Sequence, residues 1–220
     1  MLINYIKKVI YVIVLIAFSS VHAGSYEDFF TAIRKDDAGT VKSLIQRGFD
    51  ANSRDPNGQH GLYLALQEPS LQVISVLLNW NKINVESRNA ADESPLMLAS
   101  LKGILPVVAK LVEKGADVNK PGWAPLHYAA TRGQLEVMSL LLENNAYIDA
   151  ASPNGSTPLM MAALYGSPSA VKLLLEAGAD PTLKNNLGLT AIDFANRDNR
   201  KDASELIAAF IRGRQPKGKW

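Results

Sequence analysis

A six-residue pattern recurs along this 220-residue chain at a spacing that leaves few folds open. Pro95-Leu96-Met97-Leu98-Ala99-Ser100 returns as Pro125-Leu126-His127-Tyr128-Ala129-Ala130. It returns again as Pro158-Leu159-Met160-Met161-Ala162-Ala163. Weaker copies begin at Asp28, Gly61 and Ala191, and the steps between starts are 33, 34, 30, 33 and 33 residues. A unit this short cannot bury its own apolar face, so its stability has to come from stacking on its neighbours.

Each unit repeats one local grammar. Thr157-Pro158 and Ser94-Pro95 place a hydroxyl at a helix N-cap and proline at the first helical position, where its missing N–H costs nothing. A short helix follows, ending near Gly103, Gly133 or Gly166. The second helix carries apolar pairs four residues apart, such as Val73/Ile74 with Leu77/Leu78 and Val137/Met138 with Leu141/Leu142. Pairs at that spacing make one wide buried stripe. Gly48, Gly115 and Gly178 stand where a left-handed C-cap is wanted, with Asn81 and Asn145 in the other two units.

Helix, turn, helix and a hairpin-like finger within about 33 residues resembles the ankyrin-repeat family. The residues that carry the resemblance are Ala124-Pro125-Leu126-His127-Tyr128-Ala129-Ala130, Gly115-Ala116-Asp117-Val118-Asn119 and Gly178-Ala179-Asp180. The resemblance implies an all-α ankyrin solenoid of about six helix-turn-helix units with β-turn fingers. The units are expected at 24–54, 55–88, 89–121, 122–151, 152–184 and 185–212. Asp36-Asp37 replaces the usual glycine in the first unit and suits a solvated cap. The last helix is expected over 201–211, followed by a basic flexible tail, 213–220.

The N-terminus reads as an export signal. Lys7 and Lys8 precede an apolar run, Val9 to Phe18, and Val21-His22-Ala23 supplies a signal-peptidase site, so cleavage is expected after Ala23. The run is too short to span a bilayer, which takes about 20 residues. The resulting chain of 197 residues carries 21 basic and 21 acidic side chains and no membrane span. That balance argues against nucleic acid as a partner. The expected location is the bacterial periplasm, with secretion as the alternative, and the chain is expected to be monomeric.

The residue inventory disfavours catalysis. There is no cysteine, which excludes thiolate metal sites and cysteine nucleophiles. His127 sits where the family bonds backbone near a helix start, and His60 lies in a turn two units earlier. No His/Asp/Glu cluster has metal-ligand spacing, and no glycine-rich run matches a phosphate loop. No catalytic residue, cofactor or metal is therefore expected.

Binding to protein is the function the resemblance implies, through finger tips and the outward side of each first helix. The candidate contact residues are Arg88, Glu93, Lys102, Lys120, Trp123, Tyr128, Arg132, Asn154 and Tyr165. The 30-residue step shortens one finger to Asn119-Lys120-Pro121-Gly122-Trp123-Ala124. Trp123 there is either a rigid aromatic anchor or a cover for the gap left by the deletion. The role expected first is an accessory to an envelope or oxidative-stress enzyme; the alternative is a periplasmic inhibitor or immunity protein that neutralises a toxin or hydrolase.

Overall fold

The computed structural model describes residues 24–214; the expected signal, 1–23, and residues 215–220 lie outside them. The described residues are helical, with a single isolated antiparallel bridge between Arg54 and His60. Their contacts form two compact units, one ending at Asn84 and one beginning at Val85.

The first unit holds two helix pairs. Residues 24–34 are helical (α1) and precede α2 (Ala38–Gln46); α3 (Gly61–Gln67) precedes α4 (Leu71–Asn79). Phe29, Ile33, Leu44, Leu62, Leu66, Ile74 and Leu77 fill its core. Asp36 does more than solvate an end. It takes the left-handed conformation (φ 53°), and its carboxylate accepts from Gln72 N–H (3.3 Å) and Val73 N–H (2.9 Å). α4 has no side-chain cap of its own at Ser70, so the preceding repeat supplies one.

The second unit holds four pairs: α5 (Pro95–Lys102) with α6 (Leu105–Glu113), and α7 (Pro125–Arg132) with α8 (Leu135–Glu143). α9 (Pro158–Tyr165) with α10 (Pro168–Glu176) and α11 (Ala191–Arg197) with α12 (Lys201–Arg214) complete it. The first helices pack in the order α5, α7, α9, α11. Small buried residues, Ala99, Ala129, Ala130, Ala162, Ala163 and Ala195, let them approach closely. The apolar pairs of α6, α8 and α10 face inward: Val107, Val108 and Leu111, then Val137, Met138 and Leu141, then Ala170, Val171, Leu174 and Leu175 are all buried.

A polar ladder ties successive repeats together within each unit. Asn52 Oδ1 accepts from Asn84 N–H (2.8 Å) in the first unit. In the second, Glu86 accepts from Asp117 N–H (2.8 Å), Asn119 from Tyr147 N–H (2.7 Å) and Asp149 from Asp180 N–H (3.1 Å). Each bond satisfies a backbone donor that opens the next finger, where regular structure offers no partner.

Several helix ends differ from expectation. Gly48, Gly115, Gly178 and Asn145 do take positive φ, but Asn81 does not. Trp80 ends α4 in an extended conformation and lines a groove with Lys42, Ile45 and Val76, so the chain leaves the helix one residue early. Gly166 is also not left-handed, with φ −77°. It is required instead by a close approach: a Cβ there would lie 2.5 Å from Ala130 O. Finally, α12 runs on through Arg214, three residues beyond the expected end. The Arg214 guanidinium lies 4.4 Å over the Phe210 ring, a contact one helical turn back.

Candidate functional site

All nine candidate residues lie in the second unit. Its fingers are held by a recurring turn. Asn89, Ser152 and Asn185 each donate N–H to the residue four positions on and offer a side-chain oxygen to that residue's N–H. The first unit builds the same turn on Asp55. The turn residue that needs positive φ is Gly58, Gly155 or Gly188 in three fingers, but Asp92 (φ 60°) in the fourth. An aspartate in that conformation costs about 1 kcal/mol or more relative to glycine, so something offsets it.

Lys120 is that partner. Its Nζ lies 2.5 Å from Asp92 Oδ2 and donates to Pro121 O (3.0 Å), with the side chain only 4% exposed. Arg88 meets the same carboxylate at 3.2 Å and Glu86 at 3.5 Å. These bonds, Lys120 first and Arg88 second, hold the Asp92 carboxyl below its ordinary range. Beside them, Tyr128 Oη donates to Glu93 Oε1 (2.8 Å), and Asn89 Nδ2 donates to Glu93 Oε2 (2.7 Å). Arg88 and Lys120 thus meet on the Asp92 carboxylate and Tyr128 on that of Glu93, and Lys120 is a buried clasp between fingers rather than an outward cation. Asp92 was missed by the sequence reasoning. Its signal is visible there, since it stands where three other fingers have glycine.

This arrangement gives a sharp expectation. Lys120→Met should leave the melting temperature within a few degrees, because an apolar chain of similar volume replaces a buried ion. Asp92→Gly should lower the melting temperature despite relieving backbone strain, because it strands the ammonium. The double variant should recover most of that loss. Equal melting of Asp92→Gly and the wild type would show that no clasp exists.

Trp123 is half-buried, its ring edge-on to His127 with centroids 5.3 Å apart. It is neither fully presented nor fully folded away. His127 is fully buried; its Nδ1 accepts from Ala124 N–H (3.1 Å) and its Nε2 donates to Ser156 O (3.0 Å). It therefore caps the helix whose N-cap position, Ala124, has no hydroxyl. The remaining candidates are outward. Lys102, Arg132 and Tyr165 occupy the last position of α5, α7 and α9 and are exposed, Tyr165 by 58%. Asn154 is exposed on its finger tip, with Oδ1 accepting from Ser152 Oγ (2.6 Å). These four residues form the accessible part of the face.

Burial governs the histidines. His60 is 3% exposed, with Nδ1 accepting from Leu62 N–H (3.3 Å) and Nε2 3.1 Å from Asn52 Oδ1. Desolvation first, and Arg54 second, push it down from 6.5 to about 4. Burial lowers His127 as well. A histidine with a depressed folded pKa binds fewer protons folded than unfolded. Its contribution is therefore full above pH 6.5 and is lost as pH falls toward 4, about 3 kcal/mol for His60. Asp149, raised by burial, opposes this weakly. Urea unfolding at pH 7 and pH 4 should show the loss, and His60→Gln should remove much of it. A flat profile would contradict the burial of these imidazoles.

Among the described residues, no helix is long and apolar enough to cross a membrane, and no group of three or more His, Asp or Glu could hold a metal. The pattern described as Ankyrin repeats (3 copies) matches residues 29–121, 119–185 and 149–212. This chain belongs to the ankyrin-repeat family. It is 34% identical to the mouse nuclear factor NF-kappa-B p105 subunit over 63% of its own length and 15% of that protein's. It is 31% identical to the mouse B-cell lymphoma 3 protein homolog over 66% of its length and 34% of the relative's. The chain thus spans 15% and 34% of the length of these two relatives. Among solved structures it resembles a chain from the Bdellovibrio bacteriovorus complex of the predatory endopeptidase Bd0816 with immunity protein Bd3460. That likeness has a TM-score of 0.72 and 29% identity, and covers 83% of this chain and 97% of the other.

Proposed function

We propose that this protein is exported to a bacterial envelope and there binds and neutralises a peptidase-class hydrolase, without catalytic activity of its own. The observation that carries the reading is the likeness, over nearly the whole of the matched chain, to a chain from a solved complex of an endopeptidase with its immunity protein. It favours the inhibitor over the accessory to an oxidative-stress enzyme. Ankyrin repeats bind protein partners, and the outward row Lys102, Arg132 and Tyr165, with Asn154 on its finger, is the surface through which binding would run here. Tyrosine and arginine are residue types enriched among binding hot spots. Export rests on the Lys7–Ala23 layout.

Two observations test this. N-terminal sequencing of the native protein should begin at Gly24; a start at Met1 would contradict export with cleavage. Crosslinking in cells, followed by affinity purification, should capture a hydrolase in a one-to-one complex. Capture of an oxidative-stress enzyme with undiminished activity would return the accessory reading.

A further inference from the structure

Two finger tips carry Pro-Asn-Gly, at 56–58 in the first unit and 153–155 in the second. Gly58 (φ 76°) and Gly155 (φ 77°) share the left-handed conformation. Each donates its N–H at 2.8 Å to the carbonyl three residues back, Asp55 O in one and Ser152 O in the other. Both asparagines are exposed. The local chemistry is the same, and the surroundings differ.

Asn154 is tightly held. Its Oδ1 accepts from Ser152 Oγ (2.6 Å) and Ser156 N–H (3.2 Å), and its carbonyl O accepts from Asn186 N–H (3.0 Å). A Cβ on Gly155 would lie 2.6 Å from Asn186 Oδ1. The Asn154–Gly155 peptide is therefore pinned at both its N–H and its C=O. Asn57 has less to hold it. Its own N–H donates to Asp55 Oδ1 (2.9 Å), but among the described residues nothing bonds its carboxamide or its carbonyl O. Arg54 Nη1 donates to Gly58 O (2.7 Å), one peptide further on. Nothing lies within 4 Å of a Cβ on Gly58.

We propose that Asn57 is a site of spontaneous covalent modification, converted to aspartate and isoaspartate by ring closure onto Gly58, independently of the inhibitor reading. The Gly58 nitrogen, its proton given to hydroxide, attacks Asn57 Cγ. The new N–Cγ bond closes a cyclic imide, the Cγ–Nδ2 bond breaks, and ammonia leaves with a proton from water. Water then opens the imide at either carbonyl. Opening at Cγ gives aspartate; opening at the backbone carbonyl carbon gives isoaspartate. Glycine admits the attack because no side chain screens its nitrogen. The two atoms must also meet in line, which a free carboxamide achieves and a fixed one does not. Each hydrogen bond that must first break slows the reaction about fivefold, so the three on Asn154 leave it at least about tenfold slower.

The test is to age the purified protein at mildly alkaline pH, folded and in urea, and to follow the Asn57 and Asn154 peptides by mass spectrometry. In urea the two should convert at similar rates. In the folded protein Asn57 should convert at least about tenfold faster than Asn154, with both isoaspartate and aspartate as products. Asn57→Gln should leave the amide at that position intact. Equal rates at the two positions in the folded protein would overturn the proposal. So would an Asn57 that keeps its amide while the urea-treated chain loses it, or aspartate formed without isoaspartate.

Discussion

Gly166→Ala is expected to destabilise the fold by about 3 kcal/mol, an unusually large cost for adding one methyl group. The position is not conformationally special, since φ is −77° and alanine adopts that freely. What matters is space. The new Cβ would meet Ala130 O at 2.5 Å, and Ala162 Cα and O at 2.9 Å. The Ala162 contacts lie in the helix that Gly166 itself ends, but Ala130 belongs to α7, so relief of the shortest contact requires prising one repeat from the next. The control is Gly115→Ala. There φ is +85° and nothing lies within 4 Å of an added Cβ. Only backbone strain is paid, about 1 kcal/mol. Urea melts of the two variants should separate clearly. Equal losses would show that the repeats do not approach as closely as described.

His127→Leu is the second large effect, about 3 kcal/mol. It leaves Ala124 N–H without an acceptor and Ser156 O without the Nε2 donor, at residues 2% and 1% exposed. The stranded Ala124 N–H costs about 1–3 kcal/mol, while Ser156 O keeps its bond from Ser152 N–H and loses only the second donor. Neighbouring repeats suggest a graded test. Met97 Sδ accepts from Ser94 N–H at 3.3 Å, and Met160 Sδ from Thr157 N–H at 3.4 Å. His127→Met should therefore recover part of the loss by restoring the first bond, though not the second. Denaturant titration of both variants measures this, and indistinguishable stabilities would contradict the capping role.

These two residues also show how much of the molecule is legible in sequence. His127 is readable because its place in the Pro-Leu-His pattern and the missing hydroxyl at Ala124 point to the same bond. The apolar pairs of the second helices are readable because burial repeats with helical period, and all but their outermost members are buried. Gly166 is half readable: its position marks a helix end, but a close approach between repeats involves residues 36 positions apart, and no local pattern records it. The candidate face is less legible still. Lys120 looks like an exposed cation on a short finger. Its burial depends on where the preceding finger places Asp92, and that depends on a backbone conformation chosen against residue preference. Asp36 is similar, since a charged pair before a helix reads as solvation until the α4 donors it serves are located.

On the function proposed above, this repeat protein neutralises a hydrolase through the face that carries Arg132 and Tyr165. The most direct measurement is a titration of the crosslinked partner's peptidase activity with the purified protein. Activity should fall to background at one equivalent, and Arg132→Glu/Tyr165→Ala should weaken inhibition at least tenfold without changing the melting temperature. A saturated complex in which the enzyme keeps full turnover would contradict the claim.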